Sequence, residues 1–506
     1  MSPKANTRRN VIDLLKPLRG HAGKIRTAGL DDATLLRLAA QFPELESAAR
    51  AAASQYAQVR EGFAELLDLD EQAQIDAVQA GFVNFYPDDA VNPYVALAAC
   101  GPWVVTLKGA VIHDSGGYGM LGFGHTPQAI LDTMAKPQVL ANVMTPALAQ
   151  LRFVRAIRAE IGHTGGGCPY SHFMALNSGS ESVSLASRIA DVNAKLQTEP
   201  GARHAGRVVK RLAVKGAFHG RTERPAIYSD SSRKTYVQHL ASYRGEDSLI
   251  TVEPYSVEQL QAAFAEADAK GWFIEAVFLE PVMGEGDPGR ALPRAFFDAA
   301  RELTSALGAL LLVDSIQAGL RAHGVLSVVD YPGFEGARAP DMETYSKALN
   351  GGQFPLSILA VTEHAAGLYR KGVYGNTMTA NPRALDIAAT VLGLLTPALR
   401  ANIRERGREF IDKLEKLRAE LGGLITGVQG TGLLFSCELD PAFKCYGANS
   451  TEEFMREHGI GVIHGGTNSL RFTPHFAVTG TEVDLIIDHI RRALREGPRK
   501  AQAEAA

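Results

Sequence analysis

The spacing of hydrophobic and polar positions changes character twice along this 506-residue chain. Over residues 1–85 the apolar positions fall at helical spacing, as in FPELESAARAAASQYAQVREGFAELLDLDEQAQIDAVQ, which predicts a helical extension packed on the main body. From about 140 to 395, short apolar runs alternate with helical segments: RLAVKGAF, EAVFLEPV, GALLLVD and LSILAVT, each bounded by Gly, Pro or polar residues. That alternation predicts an α/β fold with a mostly parallel sheet flanked by helices. Beyond Pro397 comes a long charged helix, roughly 401–421. GTGLLFSCEL, SLRFTPHF and TGTEVDLIIDHIRRAL follow it and read as a smaller α+β domain. The expected division is 1–85 extension, 86–138 first part of the small domain, 139–398 large domain and 399–506 remainder of the small domain.

Ligands of parallel sheets bind at the carboxyl ends of the strands, so the residues just past each apolar run are candidates. They are Phe218, His219 and Gly220 after RLAVKGA; Gly284 and Glu285 after EAVFLEPV; Asp314, Ser315 and Gln317 at the end of GALLLV; and Lys347, ahead of LSILAVT. A further stretch, MALNSGSESV (174–183), reads as strand end, polar loop and helix start, the geometry that offers backbone N–H groups to a phosphate. Ser178 and Glu181 also fit a capping box, in which nothing binds.

Charge and composition narrow the partners. A net charge of -3, spread over the whole length, gives no reason to expect nucleic acid or an anionic membrane. The 46% hydrophobic and 21% charged fractions are those of an ordinary soluble protein. No stretch reaches the ~18 apolar residues of a membrane span; the nearest, 387–395, reads as a buried helix. Cys100, Cys168, Cys437 and Cys445 lie outside any metal-ligand spacing, and no metal is expected. The basic N-terminus lacks an apolar signal core, which leaves the cytoplasm as the expected compartment.

A lysine in such a cleft can condense with an aldehyde when its surroundings keep the amine neutral. An aspartate at a strand end can hold a pyridine nitrogen, and a phosphate anchor with an aromatic face completes a cradle for pyridoxal 5'-phosphate. In order and spacing these residues resemble the class III, ornithine- and 4-aminobutyrate-type aminotransferases of the type I pyridoxal phosphate fold, over about residues 100–495. NSGSES is similar to the family's phosphate loop, carried here by Gly179 and Ser180. FHGRT is similar to its aromatic segment, which implies that Phe218 stacks on the cofactor ring with His219 beside it. EPVMGEG matches Glu-Pro-x-x-Gly-Glu. Asp314 and Gln317 match the Asp and Gln that bond the pyridine nitrogen and the ring hydroxyl. SKALNGGQFPLS implies that Lys347 is the Schiff-base lysine. NTMTANP implies that Thr377 reaches the phosphate of a neighbouring subunit, hence a homodimer with shared active sites. Arg471 stands where the family keeps an arginine for the substrate carboxylate, and Glu285 where it keeps the residue that pairs with that arginine. Tyr118 stands at its substrate-side aromatic position. The resemblance thus implies a large cofactor domain and a small domain from both chain ends. It also implies transfer of an amino group between an amino acid or ω-amino acid and an α-keto acid.

Four departures stand out: Ser315 replaces a Glu, GLRAHG (319–324) replaces Gly-Phe-Gly-Arg-Thr-Gly, Gln429 replaces an Arg, and Ser184 replaces an acidic residue. An amino-acid racemase or epimerase of the same fold is the alternative. A reading from another class is a nicotinamide-dependent oxidoreductase, because residues 117–122 spell GxGxxG after VIHD. The segment 140–147 lacks the acidic residue such a site needs. Lys215, near a strand end, reads as a surface lysine, and His323 as a loop residue.

Overall fold

The computed structural model describes residues 10–500 except 117 and 140–143. Gly117 of the GxGxxG run, residues 140–143 (LANV), the basic residues 1–9 and the Ala-rich tail therefore lie outside the described residues. Strands β1 (Ala96–Cys100), β2 (Trp103–Thr106) and β3 (Val111–Asp114) come first. Seven follow: β4 (His172–Leu176), β5 (Val208–Val214), β6 (Leu249–Val252), β7 (Trp272–Leu279), β8 (Leu310–Asp314), β9 (Met342–Tyr345) and β10 (Ser357–Val361). The chain closes with β11 (Ile425–Thr431), β12 (Leu434–Leu439), β13 (Ile460–Gly461), β14 (Ile463–Gly465) and β15 (Ser469–Phe472).

The middle seven strands form one sheet in the order β4-β10-β9-β8-β7-β5-β6. Strands β6, β5, β7, β8 and β9 are parallel, and β10 runs antiparallel to both β9 and β4. Every residue of β8 and β9 is buried, as expected of strands covered on both faces. The reversed β10 explains how a lysine ahead of LSILAVT belongs with the strand ends. Lys347 follows β9, a strand the periodicity did not single out, and leaves it at its carboxyl edge beside Asp314, whose partner across the β8–β9 ladder is Thr344.

The helix Gly179–Thr198 buries Val183, Ala186, Ile189 and Ala190 against this sheet. Ser178 caps it, its Oγ accepting the Glu181 N–H at 3.3 Å. The expected capping box is not closed, because the Glu181 carboxylate reaches back one residue further and takes the Asn177 N–H at 2.7 Å.

The two chain ends meet in a second sheet, β1-β2-β3-β13, where β13 pairs in parallel with β3; β11-β12-β15-β14 form a third. The helix Gln128–Ala135 turns to the large sheet's side, where Thr133 Oγ1 lies 3.0 Å from Thr390 Oγ1 in the helix Pro382–Gly393. Ile387, Ala388, Val391 and Leu392 of that helix are buried in the core. The extension, helices Val11–Arg19 through Glu71–Gln79, lies on β1 and β2, with Phe42 against Trp103 and Arg26 held by Glu453 and Glu457.

Candidate active site

At the carboxyl edge of β5, β7, β8 and β9 is a cleft of about 190 Å³ lined by Gly179, Ser180, Phe218, His219, Glu280, Asp314, Gln317 and Lys347. The geometry of each follows from the strand it leaves. Asp314 ends β8; its Oδ1 accepts the Ile316 N–H at 3.2 Å and its Oδ2 lies 2.9 Å from His219 Nδ1. Both side chains are buried, and the His219 main-chain N–H donates to Ser229 Oγ at 2.9 Å, which fixes the backbone that carries the ring, while Nε2 of the ring is buried with no hydrogen-bond partner among the described residues. Glu280, one residue past β7, accepts the Phe218 N–H at 3.0 Å and the Gly284 N–H at 2.9 Å, tying two walls together. Burial pushes its carboxyl up to about 7, against the pull of His219.

Two glycines make room. Gly220 stands at φ +112 with Ser180 Oγ 2.4 Å from where a Cβ would be. A Cβ on Gly284 would come within 2.4 Å of Gln317. Only glycine lets these segments close on each other.

Lys347 adopts φ 40, sits partly buried and has no hydrogen-bond or ion-pair partner among the described residues. Burial, and next the charge of Arg471, lower its ammonium to about 8, while Glu285, Asp314 and Glu280 work in the opposite direction. An amine with that pKa is neutral in roughly a fifth of molecules near physiological pH, far more than an unperturbed lysine, and that fraction is available as a nucleophile.

Next to this cleft lies a cavity of about 330 Å³ lined by Tyr86, Tyr118, Arg221, Glu285, His464 and Arg471. Arg471 is buried, donates to the Gly284 carbonyl oxygen and places its guanidinium 5.7 Å from the Tyr118 ring centroid. Glu285 shares the cavity but makes no ion pair with Arg471 among the described residues, so the pairing implied by the resemblance is not made. Thr377 is exposed in the turn before the helix Pro382–Gly393, and it does not line the Lys347 cleft. Lys215 is bound to Glu253 at 2.7 Å on the surface, and His323 packs edge-on against Tyr331, with burial lowering it to about 4.

The departures have visible partners. Ser315 donates to Glu343 at 2.6 Å, so a carboxylate at this level comes from β9 and not from position 315. Gln429 donates to Asp287 and to the Pro288 carbonyl oxygen. Ser184 Oγ bonds the Ser180 carbonyl oxygen at 2.8 Å. Arg321, fully buried, donates to the carbonyl oxygens of Gly119, Leu433 and Pro474, and burial lowers it to about 9. It ties the Tyr118 loop to the strand ends.

Sequence reasoning did not select Glu280, although its place one residue past an apolar strand is the signal used for the others. It also missed Tyr86 and Arg221, for which spacing carries no signal.

The cleft fits pyridoxal 5'-phosphate on its own chemistry. Among the described residues both amide atoms of Gln317 are buried without a partner and Lys347 has none either, and the first N–H groups of the helix Gly179–Thr198 have no intrahelical acceptor. Fold and cleft together define a pyridoxal phosphate enzyme of the type I fold. The family described as class III aminotransferase matches residues 86–494. The chain belongs to that family, and it is a pyridoxal phosphate-dependent aminotransferase. Succinylornithine transaminase of Salmonella newport is 30% identical over 322 residues, 63% of this chain and 72% of that protein. Acetylornithine aminotransferase of Neisseria meningitidis serogroup B is 27% identical over 419 residues, 81% of this chain and 96% of the relative. Among solved structures, the ornithine aminotransferase of Toxoplasma gondii ME49 has the same fold, with a TM-score of 0.72 at 23% identity over 86% of this chain and 98% of its own. These findings favour transamination over the racemase alternative. The nicotinamide reading is set aside with them: among the described residues no helix opens on the glycine run, and the next one begins at Gln128.

Proposed function

We propose that this aminotransferase moves an amino group between an amino acid or ω-amino acid and an α-keto acid, with Lys347 as the residue that carries the cofactor. The observation that supports this most is the meeting of Lys347, Asp314 and the orphaned amide of Gln317 in one cleft that adjoins Arg471. Bound pyridoxal phosphate supplies an aldehyde and an electron-accepting ring. Asp314 would hold the ring nitrogen, and His219, donating through Nδ1, fixes the orientation of that carboxylate. Gln317 would bond the ring hydroxyl, Phe218 would cover a ring face, and Gly179 with Ser180 would offer the phosphate a helix N-terminus. With the cofactor bound, Lys347 Nζ would be the base that holds and moves the proton of the donor carbon that bears the amino group. Arg471 receives the substrate carboxylate in a two-pronged contact. Glu285, left free of Arg471, faces the same substrate, and Tyr118 bounds it.

The working unit we assign is a homodimer. Thr377 is exposed, and Leu148, Leu151 and Met378 leave apolar surface uncovered, as an interface does. Thr377 then completes the phosphate site of the partner.

Two measurements test the reading. Borohydride reduction of purified protein should attach a pyridoxyl group to the peptide containing Lys347, and a panel of donors should include one that yields a keto acid or aldehyde. Labelling at another lysine sinks the assignment of Lys347. Exchange of the donor Cα hydrogen without any carbonyl product sinks transamination.

A further inference from the structure

The 330 Å³ cavity beside Lys347 and a second cavity of about 690 Å³ share a wall, and that wall consists of Tyr86 and Tyr118. The two rings lie 6.2 Å apart, 25° from parallel. The halves of the wall are held very differently. Tyr118 is fixed: it sits at φ 52, its N–H donates to the Gly116 carbonyl oxygen at 2.7 Å, and the Arg471 guanidinium lies against its ring.

Tyr86 arrives on a strap that leaves the last helix of the extension, Glu71–Gln79, and returns to the body before β1. Of residues 81–88 every one is exposed except Tyr86, and Phe82, Val83 and Phe85 stand among the exposed large apolar side chains. Asn84 Oδ1 accepts the Tyr86 N–H at 3.1 Å and shapes the turn, and Phe85 packs on Tyr86 from outside at 4.3 Å. The strap is anchored at both ends. Upstream, Glu71 accepts the N–H groups of Arg26 and Thr27 at 2.6 and 2.7 Å. Downstream, Thr27 Oγ1 donates to the Pro93 carbonyl oxygen at 3.0 Å and Arg456 to that of Ala90 at 3.1 Å. The extension therefore delivers one aromatic side chain to the substrate cavity and holds it there.

We infer that Tyr86 is a specificity-determining residue: with Tyr118 it closes the Arg471 cavity against the larger cavity beyond, and so limits the length of the amino donor. This rests on the reading of Arg471 as the carboxylate anchor. An α-amino donor seated with its carboxylate on Arg471 and its amino group at Lys347 directs its side chain at the wall. Donors that end within the first cavity are accepted, and unbranched donors that overrun it meet the tyrosine pair. The second cavity, lined among others by Asp114, His125, Arg456 and Leu121, becomes part of the substrate site only when Tyr86 is removed.

The test compares holoenzyme of wild type, Tyr86→Ala and Tyr86→Phe on a series of unbranched amino donors that differ by one methylene. Its readout is the ratio of kcat/KM for the longest donor to that for the shortest. Tyr86→Ala raises this ratio by about tenfold or more, because one methylene against a well-fitted wall is worth about that factor. Tyr86→Phe keeps the wild-type ratio, since the ring and not the hydroxyl forms the wall. A Tyr86→Ala profile parallel to wild type overturns the inference, and so does a Tyr86→Phe ratio that moves as far as the alanine ratio. Tyr86 sits on an exposed strap, and an unchanged thermal midpoint separates these outcomes from misfolding. If wild type transaminates no donor in the series, the transaminase reading fails first and takes this inference with it.

Discussion

His219 Nδ1 lies 2.9 Å from Asp314 Oδ2, with both side chains buried at the carboxyl edge of the sheet. The contact joins the segment after β5 to the end of β8 and orients the carboxylate proposed to meet the cofactor ring. A hydrogen bond to a charged group is worth about 1.5–3 kcal/mol, so His219→Phe should weaken cofactor binding by roughly ten- to a hundredfold. Absorbance titration of the cofactor-free protein measures this. A titration indistinguishable from wild type would show that Asp314 needs no such support.

Lys347 carries a distinct pH signature. Its ammonium is lowered to about 8 from an unperturbed 10.5, chiefly by burial. The neutral amine therefore grows as pH rises through 8. The rate at which cofactor-free protein captures pyridoxal phosphate should climb about tenfold per unit below that point and level off above it. Between the folded and unfolded pKa values the unfolded chain holds more protons. Stability of the cofactor-free protein should thus increase with pH across that window, and Lys347→Met should remove the increase. Stopped-flow absorbance and urea unfolding at several pH values test the two halves separately.

Ser315 and Glu343 form a buried network with Ser327, Tyr170 and the Val328 N–H, all four donating to the Glu343 carboxyl. Burial raises the Glu343 pKa, and these donors oppose the shift. Ser315→Ala leaves a buried acceptor short of a donor and should cost about 1–3 kcal/mol. Ser315→Glu, which restores the residue common in the family, places a second carboxyl against Glu343 and should cost more, about 3–5 kcal/mol. Adding Glu343→Gln to that variant should recover most of the loss. Denaturant midpoints of the four proteins decide; a Ser315→Glu chain as stable as wild type contradicts the network.

The proposed homodimer, with Thr377 completing the partner's site, makes a quantitative prediction for mixed dimers. Lys347→Ala protein has no reactive lysine, and Thr377→Asp protein repels the phosphate it should bind. In a heterodimer of the two, one site carries both defects and the other carries neither. With half of the dimers mixed and one intact site in each, activity should return to about a quarter of wild type after subunit exchange. No recovery, with exchange verified by mass, would remove Thr377 from the partner's site.

Much of this protein is local and was legible in its residues. Helices, strands and caps are set by periodicity and by a few neighbours. Hence the helix after Ser178, the buried runs of β7 and β8, and Asp314 at a strand end all lie where the pattern predicts. Lys347 was found for an incomplete reason: β9 was overlooked, and only the reversal of β10 explains why a lysine ahead of an apolar run joins the carboxyl edge. The expected capping box failed by one residue, since a glutamate chooses between two neighbouring N–H groups by backbone angles that spacing does not encode.

The sequence by itself determined the order of most elements, the family and which residues past the strands meet in the Lys347 cleft, because each rests on short spacings that the backbone converts directly into geometry. Tertiary structure alone decided which distant groups meet. It brought Glu343 under Ser315, set the fully buried Arg321 among three carbonyl oxygens, left Glu285 without an ion pair to Arg471 among the described residues and laid Tyr86 against Tyr118. These contacts depend on how separate layers pack, and packing is a property of the whole chain with no signature in any one stretch of it.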